Sequence, residues 1–210
     1  MIVPYTWISF YFLGGIMEES KKFVAILSSC SDEVDDYYGS IARSIAHILA
    51  GRGYNLVFGG SSTAKMSWAI YDEFSKKGKE IYLCTTEKYA DDIENLPNAK
   101  AIICETTFDM KKEMFENADL VVALAGGLGS LSELAAYIEE NRSNNKNVPI
   151  EIYDEDEHYL PLLECIKILV DKKMISADIF ESFKISHDRS EFEEHIDLYE
   201  IEKRKEVKRK

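Results

Sequence analysis

The chain has 210 residues, 46% hydrophobic and 30% charged, with 11 glycines and 4 prolines; collagen-like, proline-rich and disordered classes are excluded and one α/β unit is expected. Its 38 acidic and 25 basic side chains leave a net charge of −13, which repels nucleic-acid backbones at long range, so no general nucleic-acid binding is expected. Cys30, Cys84, Cys104 and Cys165 are widely spaced with no C-x-x-C, so neither a metal site nor a disulfide framework is expected and a reducing cytoplasm fits.

Residues 1–16 (MIVPYTWISFYFLGGI) are apolar, but no Lys or Arg precedes the run as in a signal peptide. The run is also shorter than the ~20 residues of a membrane span and is broken by Pro4, Gly14 and Gly15. It reads as an extension ahead of the functional domain, with a packing arm or a membrane contact as rival readings. Phe23–Leu27 then reads as a buried strand, and Asp35–Arg52 as a helix with Ile41, Ile45, Ile48 and Leu49 on one face, stopped by Gly53. Asn55–Phe58 reads as a strand, Ala64–Lys77 as a helix and Glu80–Cys84 as a third strand. A short helix near Glu87–Ile93 precedes strand Ala101–Cys104, helix Phe108–Ala118, strand Leu120–Leu124 and helix Ser130–Asn141. Strand Val148–Tyr153 and helix Tyr159–Lys173 complete the alternation.

Continuously apolar strands alternating with helices predict a doubly wound parallel sheet with helices on both faces, in one domain over residues 17–200 with a basic tail at 201–210. Ligands of such sheets bind beyond the carboxyl ends of the strands. Glu151 to Glu157 reads as a solvated acidic turn, and the closing cations, Lys203 to Lys205 and Lys208 to Lys210, as a frayed helix end. His47 is expected to be a partly exposed helix residue, and His158, His187 and His195 to lie on solvated surface. Cys30 reads as a packing residue rather than a reactive thiol.

The strongest local signal is Ala125-Gly126-Gly127-Leu128-Gly129-Ser130-Leu131-Ser132-Glu133, between a strand and a helix. Glycines admit close approach by a ligand, and the helix start offers unpaired N–H groups that suit a phosphate. No Gly-Lys-Ser/Thr follows, so this is not a Walker loop. Glu133 has two readings on spacing alone: a capping box with Ser130, or catalysis. Two further small-residue turns, Ser28-Ser29-Cys30-Ser31 and Gly59-Gly60-Ser61-Ser62, follow the first and second strands. Three such turns on one sheet edge suit a nucleotide-sized ligand.

The order and spacing of these turns resemble the Lonely Guy (LOG) family, the cytokinin riboside 5′-monophosphate phosphoribohydrolases often labelled lysine decarboxylase-like. The resemblance runs from about Phe23 to Ile175. The family's C-G-S-S turn is matched by Ser28 to Ser31, its R-G-x-x-L-V-Y-G-G-G passage by Arg52 to Ser61, its R-K pair by Met110-Lys111, and its P-G-G-x-G-T-x-x-E motif by Ala125 to Glu133. The resemblance implies a 5′-phosphate on the glycine loop, catalysis by Glu133 and the residue pair at 110–111, and release of a free base from ribose 5-phosphate. It also implies a homodimer and no metal or redox cofactor.

The chemistry is consistent, because breaking an N-glycosidic bond builds positive charge on the sugar that a carboxylate can stabilise. Met110 departs from the family's arginine and can hold neither a proton nor a phosphate. Ala125, Ser130 and Ser61 are gentler departures, since a serine hydroxyl still donates to phosphate.

The leading expectation is a nucleoside 5′-monophosphate phosphoribohydrolase. Glu133 and Lys111 would carry catalysis, with Ser29, Ser31, Gly59, Gly60, Gly126, Gly127, Gly129 and Ser130 binding substrate and phosphate. The alternative is a catalytically weakened nucleotide or sugar-phosphate sensor, motivated by Met110; a third reading is a structural subunit packing through Trp68 and Tyr71. Amino-acid decarboxylation would need a Schiff-base lysine and a cofactor cradle, and the sequence displays neither.

Overall fold

Runs such as FVAIL and LVVA are too short for helices and apolar at every position, as strands covered on both faces must be. The computed structural model describes residues 21–59, 64–90, 96, 98–144 and 147–207. The apolar extension at residues 1–16 and the turn residues Gly60 and Ser61 lie outside these.

Among the described residues the strands are β1 (Phe23–Leu27), β2 (Asn55–Gly59), β3 (Ile81–Thr86), β4 (Ala99–Cys104), β5 (Leu120–Ala123), β6 (Ile150–Tyr153) and β7 (Lys184–Ser186). The helices are α1 (Asp36–Gly51), α2 (Lys65–Lys76), α3 (Thr107–Glu116), α4 (Leu128–Asn144), α5 (Leu160–Asp171) and α6 (Arg189–Val207). Their caps follow from sequence. Asp35 accepts the Tyr37 N–H at 2.9 Å to open α1, Gly53 at φ +88° follows its end, and Thr106 and Asp109 cap each other's backbone at the start of α3.

All strand pairs are parallel, in the order β4-β3-β2-β1-β5-β6-β7. The order runs outward in both directions from the β1–β5 pair, so the crossover helices lie on opposite faces. On one face Ile45, Leu49, Ile70 and Phe74 of α1 and α2 share a core with Phe192 and Ile196 of α6. On the other, Met114 and Phe115 of α3 pack with Leu134, Tyr137 and Ile138 of α4. This is a Rossmann-like doubly wound sheet, and the reversal of strand order opens a crevice above the carboxyl ends of β1 and β5.

Several expectations are corrected. The strands and helices named from the sequence stop at Lys173, with only a frayed helix end expected near the C-terminus, whereas β7 and α6 follow and complete the sheet and one of its cores. Glu151 and Asp154 are buried, so only residues 155–157 form a solvated acidic turn. His195 is half-buried with Nδ1 3.0 Å from Glu151 Oε1, whereas His158 and His187 are exposed as expected, His187 with Nδ1 2.9 Å from the Asp154 carbonyl oxygen. Tyr71 belongs to the core, leaving Trp68 as the exposed member of that pair, and Cys30 is exposed rather than packed. Among the described residues, no helix is long and apolar enough to cross a membrane.

Candidate active site

The crevice is built by the turns after β1 and β5. Because these strands are neighbours, their C-terminal turns meet, and Ser29 N–H donates to the Ala125 carbonyl at 3.2 Å. The Ser130 hydroxyl donates to the Ser28 carbonyl at 2.9 Å. Gly126 sits inside this junction: a Cβ there would lie 2.3 Å from Ser130 Oγ and 2.5 Å from its Cβ, so only glycine fits. Around Gly127 and Gly129, by contrast, no heavy atom lies within 4 Å of the Cβ position. The loop is therefore locked at Gly126 and open where its next amides meet the crevice, which suits an anion approaching a helix start.

The capping reading of Ser130 and Glu133 fails. α4 starts at Leu128, so Ser130 is already inside the helix and its hydroxyl bonds the β1 turn instead. Glu133 is 9% exposed, and among the described residues no donor bonds its carboxyl. Burial pushes its pKa up to about 7, and the Lys111 ammonium opposes that shift in part. A buried, unpaired carboxyl titrating near neutrality beside a crevice is a signature of acid–base chemistry rather than of a structural ion pair.

Lys111 on α3 reaches across to α4, where its Nζ donates to Ser132 Oγ at 2.6 Å. The Tyr137 hydroxyl, one helical turn beyond Glu133, donates to the Lys111 carbonyl at 2.9 Å and ties the two helices together. The structure thus brings Glu133 and Lys111 side by side. Met110 lies against the end of β2, its Sδ and Cε 3.4 and 3.3 Å from a Cβ position on Gly59. The Ser29 and Ser31 hydroxyls each accept an N–H within their own turn, from Ser31 and Glu33 at 3.2 Å, and each retains a proton to donate.

Two residues escape the sequence reading. The Tyr159 hydroxyl donates to the Leu124 carbonyl at 2.7 Å, supporting the glycine loop from below. His158 packs edge-on against the Tyr159 ring and places Nε2 against the Gly126 peptide group. A signal was present, since both follow the β6 segment at its carboxyl end, but their use depends on β6 lying beside β5.

The family model described as possible lysine decarboxylase matches residues 67–196, more than half of the chain. A cytokinin riboside 5′-monophosphate phosphoribohydrolase of Arabidopsis thaliana is 28% identical over 168 residues, covering 77% of each chain. One of Mycobacterium tuberculosis is 23% identical over 141 residues, covering 67% of this chain and 75% of that protein. In fold, the molybdenum cofactor binding protein of Rippkaea orientalis superposes with a TM-score of 0.63 at 16% identity, covering 86% of this chain and 98% of that one. A glycine loop pinned at a doubly wound switch point, a buried glutamate one turn into its helix and the extent of the match lead to one conclusion: the chain belongs to the possible lysine decarboxylase family, the Lonely Guy family whose motifs it carries.

Proposed function

We propose that this protein hydrolyses the N-glycosidic bond of a nucleoside 5′-monophosphate, releasing a free base and ribose 5-phosphate. The observation that carries the reading is the placement of Glu133. It lies four residues after Gly129, ~6 Å along the helix at ~1.5 Å per residue, about the reach from a phosphate to the far side of its ribose. The phosphoribohydrolase relatives described above are named for substrates of this class, which supports the reading.

In the proposed reaction the phosphate sits on the amides of Gly127 and Gly129, and the sugar extends toward Glu133. As the C1′–N bond breaks, its electron pair leaves with the base and positive charge gathers on the ribose ring. The Glu133 carboxylate stabilises that charge and orients water for attack at C1′. The proton lost by the water passes to Glu133 and on to the departing base nitrogen. A group titrating near 7 suits both halves of that transfer. Lys111, beside Glu133, supplies positive charge toward the phosphate side.

The test is incubation with a panel of nucleoside monophosphates, with released base measured by chromatography and binding by calorimetry. Wild type is expected to release base, and Glu133→Gln to lose release by ~10²-fold or more while binding nucleotide as before. Equal turnover by the two proteins removes Glu133 from the chemistry, and binding without release by wild type removes the hydrolase.

A further inference from the structure

The glycine loop carries an internal competitor for one of its own amides. His158 Nε2 lies 3.2 Å from the Gly126 nitrogen and 2.9 Å from the Gly126 carbonyl oxygen. One ring nitrogen cannot serve both partners at once. Without a proton, Nε2 accepts the Gly126 N–H and withdraws that amide from the crevice. With a proton, Nε2 donates to the Gly126 carbonyl and the amide is released to face an incoming anion. A neutral ring can do this with its one proton on Nε2, and no proton is then taken up; the imidazolium does it with both nitrogens protonated and a positive charge beside the loop, so an arriving anion favours that form. Gly126 is the loop glycine enclosed by its neighbours, with Ser130 against its Cα, so both arrangements form against the same peptide group.

The placement of His158 is built by its surroundings. Glu157 takes the left-handed backbone conformation, φ 62°, that turns the chain back over the loop. The next residue, Tyr159, is wholly buried, with its N–H on the Asp154 carboxylate at 3.1 Å and its hydroxyl on the Leu124 carbonyl. The imidazole thus stands, exposed to solvent, at the end of a buried support.

Resting on the reading of this loop as a phosphate site, we propose that His158 is a ligand-positioning residue that couples phosphate binding to uptake of a proton. The other titratable groups around it are Asp154, Glu155, Asp156 and Glu157 on its own turn and Tyr159 beside it. Across from them stand Tyr38 of α1, which donates to Asp156, His187 ahead of α6, on the Asp154 carbonyl, and Glu133 and Lys111 at the crevice. A nucleotide's own phosphate also titrates near pH 6. All of these are shared by wild type and a His158 variant, so the difference between the two isolates His158.

The experiment is calorimetric titration with adenosine 5′-monophosphate between pH 6 and pH 8, in buffers of different ionisation enthalpy, on wild type and His158→Gln. Glutamine can still bond either end of the Gly126 peptide but does not titrate. Wild-type affinity is expected to fall about tenfold more than that of the variant across this range, with correspondingly greater proton uptake per nucleotide bound. His158→Ala, which loses both bonds, is expected to follow the flatter profile of His158→Gln. Identical pH profiles in wild type and His158→Gln overturn the proton coupling and leave the nucleotide site standing. Absence of binding by wild type at every pH overturns the nucleotide reading and the coupling together.

Discussion

Met110 stands where the family resemblance places an arginine, and its side chain is spent on packing: the thioether covers Gly59, beside Met114. An apolar side chain there leaves Lys111 as the cation next to Glu133, and an ammonium offers a point charge rather than a planar fork. Met110→Arg is therefore expected to raise base release by about 10²-fold, the usual worth of one preorganised electrostatic contact. Chromatographic rates for the variant, with Met110→Arg combined with Glu133→Gln as the background, decide this; no gain over wild type refutes it. Glu133 and the glycine loop were legible because one motif keeps them close in sequence, whereas Lys111, on α3, was reached only through the family resemblance. What escaped was which role Ser130 takes, since a helix starting at Leu128 rather than Ser130 turns an expected cap into a bond from the helix to the Ser28 carbonyl of the β1 turn. His158 escaped for another reason: its partner Gly126 is 32 residues away.

At the scale of elements, α6 is fastened to the sheet by polar as well as apolar contacts. Phe192 and Ile196 bury in the core, while His195 and Tyr199, one turn apart, both meet the Glu151 carboxylate of β6 at 3.0 Å. Glu151 is 0% exposed, and Lys184 lies opposite it on β7 with Nζ 5.0 Å from the Tyr199 ring centre. Beside that carboxylate and under burial, the Tyr199 phenol is pushed far up, so it remains a donor at every accessible pH. A buried carboxylate is costly unless its oxygens are satisfied, and removing it strands both donors. Glu151→Ala is expected to cost ~3 kcal/mol in urea unfolding at neutral pH, and Glu151→Gln, which keeps an acceptor, about half as much. A loss within ~0.5 kcal/mol for Glu151→Ala, the range of ordinary surface changes, would show that apolar packing alone holds α6. The alternation of strands and helices up to α5 was legible because each period is carried by local apolar spacing. β7 has three residues and α6 is rich in acids, so neither stands out until Glu151, 44 and 48 residues from its partners, brings them together.

For the molecule as a whole, the carboxyl that serves the proposed chemistry is also a burden on folding. Glu133 titrates at about 7 in the folded protein against an ordinary value of 4.5, because burial disfavours its charge. Below pH 4.5 both folded and unfolded chains hold the proton and the site costs nothing by this route. Between 4.5 and 7 the unfolded chain releases its proton while the folded chain keeps it, so the unfolded state binds fewer protons and stability falls as pH rises. Above 7 both are ionised and the penalty stays constant, at ~3 kcal/mol for a shift of this size before relaxation reduces it. Glu133→Gln removes the titration, so it is expected to be more stable than wild type by ~2 kcal/mol at pH 8, with that gain shrinking to near zero at pH 4. The self-repulsion of a chain with net charge −13 also changes with pH, but it is common to both proteins apart from this one group. Urea unfolding at pH 4, 6 and 8 reads the difference directly, and a gain equal at pH 4 and pH 8 would trace it to packing instead of charge. A pH-dependent gain in a variant that has also lost base release would place activity and instability in the same buried oxygen pair, the trade-off expected where a site is shaped for chemistry rather than for folding.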